Sequence, residues 1–181
     1  MKKIFLCFTV VVASLLCFPM NASATLSEDS WNQGEQIEGL SVTELEFSHA
    51  NKTVDAGREN KVTIKVKLNQ KLDPKYNDIY LFAEKEDNAL EAQIIGKTEE
   101  HFWLERDSED SSVFVSEAKN MDRYWKAGEY RITYLGVTAL SEPEGENFSQ
   151  DVISKQLVKL DKTISDKNSF KVENAFFEMF Q

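Results

Sequence analysis

Cysteine is scarce in this sequence, and the patterns that mark most enzyme active sites are missing. The only two cysteines, Cys7 and Cys17, lie within the first 24 residues. Once that segment is removed, the chain has no disulfide, no thiolate metal ligand and no cysteine nucleophile. It has two histidines, His49 and His101, and no G-x-S-x-G elbow, H-E-x-x-H helix, P-loop or dinucleotide fingerprint. We therefore expect a protein that is not an enzyme.

Residues 1–24 have the layout of a secretory signal peptide. Two lysines precede an apolar run, Ile4 to Phe18, and Ala22-Ser23-Ala24 supplies an A-x-A cleavage site. The apolar run is 15 residues long, whereas a membrane-spanning helix needs about 20. Cleavage is therefore favoured over an uncleaved anchor. Lipidation at Cys17 is a weaker alternative, because the preceding Leu16 is large. We expect a secreted protein, either extracellular or associated with the cell surface.

The net charge of the chain is strongly negative. It is −10 at pH 7, and it becomes about −12 when the two lysines of the signal peptide are removed. A charge of this sign disfavours non-specific binding to nucleic acid and to anionic membranes. It suits a basic partner, a cation-rich environment, or a solvated surface with no partner. We expect no nucleic acid partner and no membrane span after signal cleavage, and the oligomeric state stays open.

Short alternating segments dominate the chain after residue 40. The clearest is Lys61 to Leu68, in which apolar side chains alternate with lysine and threonine, as in a strand with one buried and one solvated face. Further strands are predicted at Leu40–Ser48, Asp78–Ala83, Leu90–Ile95, His101–Arg106, Ser112–Ser116, Glu129–Leu135 and Ser169–Glu173. About seven or eight strands at this spacing predict a mainly β fold, an antiparallel β-sandwich.

One segment departs from the strand pattern and is predicted to be helical. Four apolar residues have the 4-3-4 spacing of one face of an amphipathic helix: Ile153, Leu157, Leu160 and Ile164. This spacing predicts one short helix near residues 149–165. A strand through Gln156 to Leu160 is the alternative interpretation.

The sequence divides into three parts. After the signal peptide, residues 25–39 are polar without a period, and we predict a flexible leader in which Trp31 can pack against the domain. Residues 40–181 are predicted to form a single β-sandwich domain, because this length suits one hydrophobic core. Within that domain, His49 to Asn60 is predicted to be a turn-like connection.

Two stretches resemble the immunoglobulin-like domains of bacterial secreted and cell-surface proteins. Val54-Asp55-Ala56-Gly57, followed by the alternating strand from Val62 to Val66, is similar to a Gly-containing turn and Val/Ile strand of those domains. Ala127 to Ile132 is similar to their late G-x-Y-x-I strand, in which the tyrosine packs under a sheet corner. The resemblance implies an immunoglobulin-like sandwich that binds a partner or acts as a spacer, and it carries no catalytic residues.

Aromatic side chains provide the candidate binding site. In the strand from His101 to Arg106, apolar residues alternate with His101 and Trp103, so these two face outwards if the others enter the core. Tyr80 or Phe82 is a further candidate for exposure on its own strand. Exposed aromatic rings on a sheet can stack on sugars or anchor a protein partner. We therefore predict Trp103, Tyr80 and His101 as ligand-binding residues. The alternative is that the helix at 149–165, or the Phe-rich C-terminal tail, covers this face.

Acidic loops suggest a calcium site. The residues concerned are Asp107, Glu109 and Asp110 in one turn, and Glu142, Glu144, Glu146 and Asn147 in another. Calcium takes about six to eight oxygen ligands, which loops at strand ends can supply, although neither cluster has the D-x-[DN]-x-[DN]-G spacing. We predict Asp107, Glu109 and Asp110 as candidate calcium ligands, with a merely solvated turn as the alternative. No other cofactor is expected.

These features predict a secreted binding or interaction protein without catalytic activity. Its partner would be an extracellular protein or a cell-envelope glycan. The alternative is an acidic extracellular inhibitor or immunity-type protein that blocks a basic enzyme, which the negative charge would favour.

Overall fold

The computed structural model describes residues 26, 28–56, 60–87, 99–119, 121, 124–141 and 150–174. Several sequence predictions lie outside these residues. They are the signal peptide with Cys17, the strand at Leu90–Ile95, the acidic cluster from Glu142 to Asn147, and the tail after Asn174.

Within the described ranges, the chain forms nine β-strands and two short helices. The helices are α1 (Glu28–Trp31) and α2 (Lys162–Lys167). The strands are β1 (Val42–Phe47), β2 (Thr53–Asp55), β3 (Val62–Leu68), β4 (Tyr76–Lys85), β5 (Glu99–Arg106), β6 (Val113–Lys119), β7 (Gly128–Leu140), β8 (Val152–Lys159) and β9 (Phe170–Glu173). Neither helix in this part of the chain is long and apolar enough to cross a membrane. The mainly β fold predicted from the sequence is confirmed, and every predicted strand within the described ranges has a counterpart.

The strands pair into one curled sheet. Their order is β1-β3-β6-β5-β4-β7-β9-β2, and β8 also pairs with β7. β5 joins the two halves of this sheet, because residues 99–104 pair with β4 while residues 105–106 pair with β6. Phe47 in β1 lies 4.9 Å, between ring centroids, from Phe170 in β9. These strands are far apart in the sheet order, so the sheet folds over and encloses one core.

Strand alternation accounts for much of this core. On β3 the residues Val62, Ile64, Val66 and Leu68 are at most 2 % exposed, while the intervening side chains are solvated. This is the pattern that the sequence predicts for Lys61 to Leu68. Apolar burial of this kind is the main favourable contribution to folding, at about 25 cal/mol per Å² removed from water.

An aromatic cluster fills the space between the two halves of the sheet. It consists of Phe47, Phe102, Trp125, Tyr130 and Phe170. The rings of Tyr130 and Phe170 are stacked, with centroids 5.5 Å apart and an interplanar angle of 14°. The hydroxyl of Tyr130 donates a hydrogen bond to the carbonyl of Lys126 at 3.0 Å. Tyr130 is therefore fully buried without leaving its polar atom unsatisfied.

The helix predicted near 149–165 is wrong for most of its length. β8 occupies Val152–Lys159 and pairs antiparallel with β7, and α2 begins only at Lys162. The strand alternative is the better one. In its second half, β8 has buried apolar residues on both faces. Val158 joins the main core, while Leu157 is buried on the opposite face. A strand with apolar residues on both faces loses its period-2 signal, so the 4-3-4 spacing imitates a helix.

The turn-like connection predicted from His49 to Asn60 contains a strand that the sequence did not indicate. β2 is three residues long and pairs parallel with β9. The sheet is therefore mixed, which corrects the prediction of a wholly antiparallel sandwich. A three-residue strand is too short to show a hydrophobic period, and its position depends on a partner near the other end of the chain.

Candidate functional site

Five ring-bearing side chains form a continuous cluster on the outer face of β4 and β5, which we call the aromatic row. Its members are Trp31, Phe82, Tyr80, Trp103 and His101. Tyr80 is central, with its centroid 5.1 Å from that of Trp103, 5.9 Å from that of His101 and 5.9 Å from that of Trp31. The structure thus brings together the three ligand-binding residues predicted from the sequence.

The register of three strands explains this grouping. Tyr80 lies opposite Trp103 on one side and opposite Gly136 on the other, and Phe82 lies opposite His101. A Cβ added at Gly136 would lie 2.8 Å from Cε2 of Tyr80 and 3.2 Å from Cη2 of Trp31. The absence of a side chain at Gly136 therefore gives the rings room to lie over β7. Sequence reasoning missed this role, although a lone glycine inside a strand pattern often marks such a close approach.

The segment 25–39, predicted as a flexible leader, is docked on β8 in its described part. Gln33 and Lys155 exchange two backbone hydrogen bonds, with N···O distances of 2.9 and 2.8 Å. The side-chain amide of Gln156 adds two more to the backbone of Ile37, at 2.7 and 3.1 Å. These bonds occupy part of the outer edge of β8, which would otherwise be open to pairing with another chain. The described part of the leader thus makes specific hydrogen bonds to a strand near the other end of the chain.

Trp31 closes the inner end of the aromatic row. Its ring meets Tyr80 and Phe82 edge-on, at centroid distances of 5.9 and 6.1 Å. The ammonium of Lys155 lies 5.3 Å from the Trp31 centroid, within the range of a cation–π interaction. Under this cover, Phe82 is 9 % exposed and Leu157 is 2 % exposed. The cover over this face thus includes the leader, through the Trp31 side chain that the sequence analysis expected to pack against the domain.

The other end of the row is open to solvent. Trp103 is 48 % exposed, and His101 is exposed as well. Two carboxylates flank this end, since Glu105 follows Trp103 by two residues on β5 and Asp78 precedes Tyr80 by two on β4. Burial raises the pKa of the Asp78 carboxyl, while His101 acts in the opposite direction. Burial also raises the pKa of the Tyr80 phenol. The open end is therefore aromatic and acidic.

The acidic turn predicted to bind calcium is organised by its own hydrogen bonds. Oδ1 of Asp107 accepts the backbone N–H groups of Glu109 and Asp110, at 2.9 and 3.0 Å. Oδ1 of Asp110 accepts the backbone N–H and the hydroxyl of Ser112, and these bonds hold the pKa of Asp110 below its usual range. Among the residues described, no group of three or more His, Cys, Asp or Glu side chains is arranged to hold a metal ion. The geometry therefore gives Asp107 and Asp110 a role in shaping the turn, and it lends the calcium hypothesis no support.

Arg106 joins this turn to the loop before β4. Its guanidinium donates hydrogen bonds to four carbonyl oxygens, those of Leu72, Asp73, Tyr76 and Ser111, at 2.7 to 3.2 Å. The guanidinium also lies 5.2 Å from the ring centroid of Phe114. Burial lowers the pKa of Arg106. The sequence contains no signal for this role, because the accepting carbonyls belong to two loops that meet only in the fold.

Replacing Arg106 with lysine should destabilise the protein by about 1–3 kcal/mol, because an ammonium cannot reproduce four bonds from a planar fork. The free energy of unfolding in urea measures the loss. Arg131→Lys is the matched control, since Arg131 pairs with Glu86 and Asp166 at the surface and should cost about 0–1 kcal/mol. Equal losses for the two variants would contradict the role given to Arg106.

A concavity lies elsewhere, between β1, β3 and α2. Its volume is ≈ 610 Å³, and its lining includes Leu45, Thr63, Lys65, Val115 and Lys167. It is an open groove of mixed polarity, and none of the predicted site residues lines it. The aromatic row has exposed rings at one end, with acidic residues on the same face, so we take it as the candidate site in preference to this groove.

Comparison with known proteins does not supply a function for this site. No family model matches the chain, and no curated protein has a similar sequence. The interpretation of the aromatic row therefore depends on its own geometry and chemistry.

Proposed function

We propose that this chain is a secreted binding protein that contacts its partner through the open end of the aromatic row. The observation that carries the proposal is the ring of Trp103, which is 48 % exposed and yet held against Tyr80 and His101 on paired strands. An aromatic ring fixed in this way offers a large contact area and loses little conformational freedom on binding. Tryptophan and tyrosine are also enriched among the residues that dominate binding energy.

The proposal includes an immunoglobulin-like fold, and two features support it. The pairings β1-β3-β6-β5, and β4-β7 with β8 and β9 on the far side of β7, follow the strand order ABED and CFG of immunoglobulin domains. Tyr130, near the start of β7, donates its hydroxyl to the carbonyl of Lys126, as does the tyrosine corner of those domains. This tyrosine is the one in the G-x-Y-x-I stretch of the sequence. Fold alone does not assign a function, so the binding role depends on the site.

Export is also part of the proposal, and its support is the signal-peptide layout of residues 1–24. The sequence has no cysteine after Cys17, so the proposed mature protein relies on its core for stability in an oxidising environment. We propose that the protein works outside the cytoplasm, in the extracellular space or at the cell surface, on an extracellular protein or a cell-envelope glycan.

The second candidate function is inhibition of a basic enzyme. The net charge of −10 favours it, and so do the carboxylates of Asp78 and Glu105 at the open end of the row. The two proposals share one contact surface and differ in the partner. Loss of activity of a basic hydrolase on binding would support the inhibitor, whereas a polysaccharide partner would contradict it.

Trp103→Ala tests the proposed surface. The protein is immobilised, and the partner that it captures from envelope extract and culture fluid is identified by mass spectrometry and purified. Loss of the Trp103 ring should weaken the affinity for that purified partner at least about tenfold, as expected for a residue that dominates binding energy. Titration calorimetry measures the dissociation constants.

Tyr124→Ala provides the matched control, because Tyr124 is a 63 % exposed aromatic residue in the connection between β6 and β7. This variant should bind as the original protein does. Circular dichroism and thermal unfolding confirm that both variants are folded. Unchanged affinity of Trp103→Ala would refute the proposed contact surface.

A further inference from the structure

We infer that the open end of the aromatic row binds a cationic side chain, arginine or lysine, presented by a protein partner. This inference rests on the proposed function and specifies the chemistry that the surface recognises. Three observations support it: the arrangement of the rings, the acidic groups beside them, and a cation that the same row already binds within the protein.

The rings of Trp103, Tyr80 and His101 are tilted against one another and do not form one flat surface. The planes of Trp103 and Tyr80 are tilted by 54° at a centroid distance of 5.1 Å, and those of Trp103 and His101 by 79° at 5.4 Å. The face of an aromatic ring carries partial negative charge, and indole attracts cations most strongly of the aromatic side chains. Within the described residues, no lysine or arginine lies over Trp103. The Trp103 side chain is 48 % exposed, so a cation can reach its ring from solvent.

Carboxylates supply the counter-charge at the same end. Asp78 lies two residues before Tyr80 on β4, and its carboxyl interacts with His101. Glu105 lies two residues after Trp103 on β5, at the point where β5 leaves β4 and pairs with β6. A guanidinium lying on the indole of Trp103 would be on the same face of the sheet as these carboxylates, because side chains two residues apart on a strand share a face. The whole chain adds to this preference, since its net charge of −10 attracts cations and repels anions.

The row already binds one cation at its opposite end. The ammonium of Lys155 lies 5.3 Å from the ring centroid of Trp31, and Trp31 contacts Tyr80. One indole of the cluster is thus occupied by a lysine from β8, while the other indole, that of Trp103, is half-exposed. The occupied end shows the geometry that we infer for the open end.

A pair of peptides that differ only in charge tests the inference. The ¹⁵N-labelled protein is titrated with acetyl-Gly-Gly-Arg-Gly-Gly-amide and with the same peptide carrying citrulline, the neutral isostere of arginine. The indole N–H resonance of Trp103 reports binding, and Trp103→Ala assigns it. The arginine peptide should bind about twofold to fivefold more tightly than the citrulline peptide, in line with cation–π attraction at an exposed site. Added salt should weaken binding of the arginine peptide more than that of the citrulline peptide.

Two variants distinguish the effect of the nearby Asp78 carboxylate on binding from the effect of the net negative charge of the protein. Asp78→Asn should weaken binding of the arginine peptide by about twofold to fivefold, because it removes a nearby negative charge. Glu46→Gln, which removes an exposed carboxylate on β1, should leave it unchanged. Equal affinity for the two peptides, or no shift of the Trp103 resonance with the arginine peptide, would overturn the inference.

The failure of this inference can be told apart from failure of the proposed function. If a neutral oligosaccharide shifts the Trp103 resonance and the arginine peptide does not, the surface binds a ligand and the assignment to a cation is wrong. If Trp103→Ala leaves the affinity for the captured partner unchanged, the proposed surface itself is wrong.

Discussion

Phe170→Ala should destabilise the protein by about 3–5 kcal/mol, the range found when a buried phenylalanine is truncated to alanine. The Phe170 side chain is 2 % exposed. Four other rings surround it, with centroids 4.9 Å away for Phe47, 5.5 Å for Tyr130, 6.1 Å for Trp125 and 6.5 Å for Phe102. Removal of the central ring leaves a cavity that the rigid neighbouring rings cannot fill.

The position of Phe170 in the sheet increases the expected cost. β9 is only four residues long, and it pairs with β7 on one side and with the three-residue β2 on the other. Phe170 also connects the two halves of the sheet, because Phe47 comes from β1 and Tyr130 from β7. Domains of this size are stable by about 5–15 kcal/mol in total. The variant should therefore lose a large share of its stability.

Urea unfolding followed by circular dichroism measures this loss. Lys171→Ala is the control, because Lys171 is the next residue on β9 and its side chain is 47 % exposed. This change should cost about 0–1 kcal/mol. A loss below about 1.5 kcal/mol for Phe170→Ala would contradict the central role given to this ring.

Gly136→Val should cost about 3 kcal/mol, at the upper end of the usual range for overpacking. The new Cβ would lie 2.8 Å from Cε2 of Tyr80, 3.1 Å from Cε2 of Phe82 and 3.2 Å from Cη2 of Trp31. Three rings that already touch one another cannot all move away, so the strain spreads along the aromatic row. Because Tyr80 contacts Trp103, the proposed function predicts that the variant also loses affinity for the captured partner.

A double-mutant cycle shows whether the clash with Tyr80 is the cause. In the Tyr80→Ala background the closest of the three rings is absent, while Phe82 and Trp31 remain. Gly136→Val should therefore cost at least about 1 kcal/mol less there than in the original protein. Thermal and urea unfolding of the four proteins provide the values. Additive effects of the two substitutions would contradict the close approach of the ring to β7.

The sequence predicted the elements whose side chains alternate between core and solvent. β3 is the clearest case, and alternation on β5 correctly indicated that Trp103 faces outwards. β8 was misread because the leader covers its outer face, so that Leu157 and Val158 are both buried. β2 was missed because three residues show no period. Alternation of apolar and polar residues indicates a strand that buries one face. It gives no signal where both faces are covered or where the strand is very short.

The site was only partly predictable for a different reason. Tyr80 and Trp103 were recognised as exposed aromatic candidates, but their contact follows from strand register, which the sequence alone does not specify. Gly136 and Trp31 join the same cluster from positions far apart in the chain. At the acidic turn the sequence suggested a site that the geometry does not support. Asp107 and Asp110 are residue types that bind calcium, but their carboxylates accept hydrogen bonds from the backbone of the same turn.

The docking of the leader has a consequence for the order in which the chain acquires its structure. The hydrogen bonds from Ile37 to Gln156, and from Leu157 to Asn32, span 119 and 125 residues. Ordering such distant segments requires closure of a long loop before any contact compensates for the lost entropy. When such a chain passes through a narrow channel with its N-terminus first, the leader cannot pair with β8 until β8 has also left the channel. The leader emerges first and is then among the last segments to fold, because it can pair only when β8, near the other end of the chain, is present.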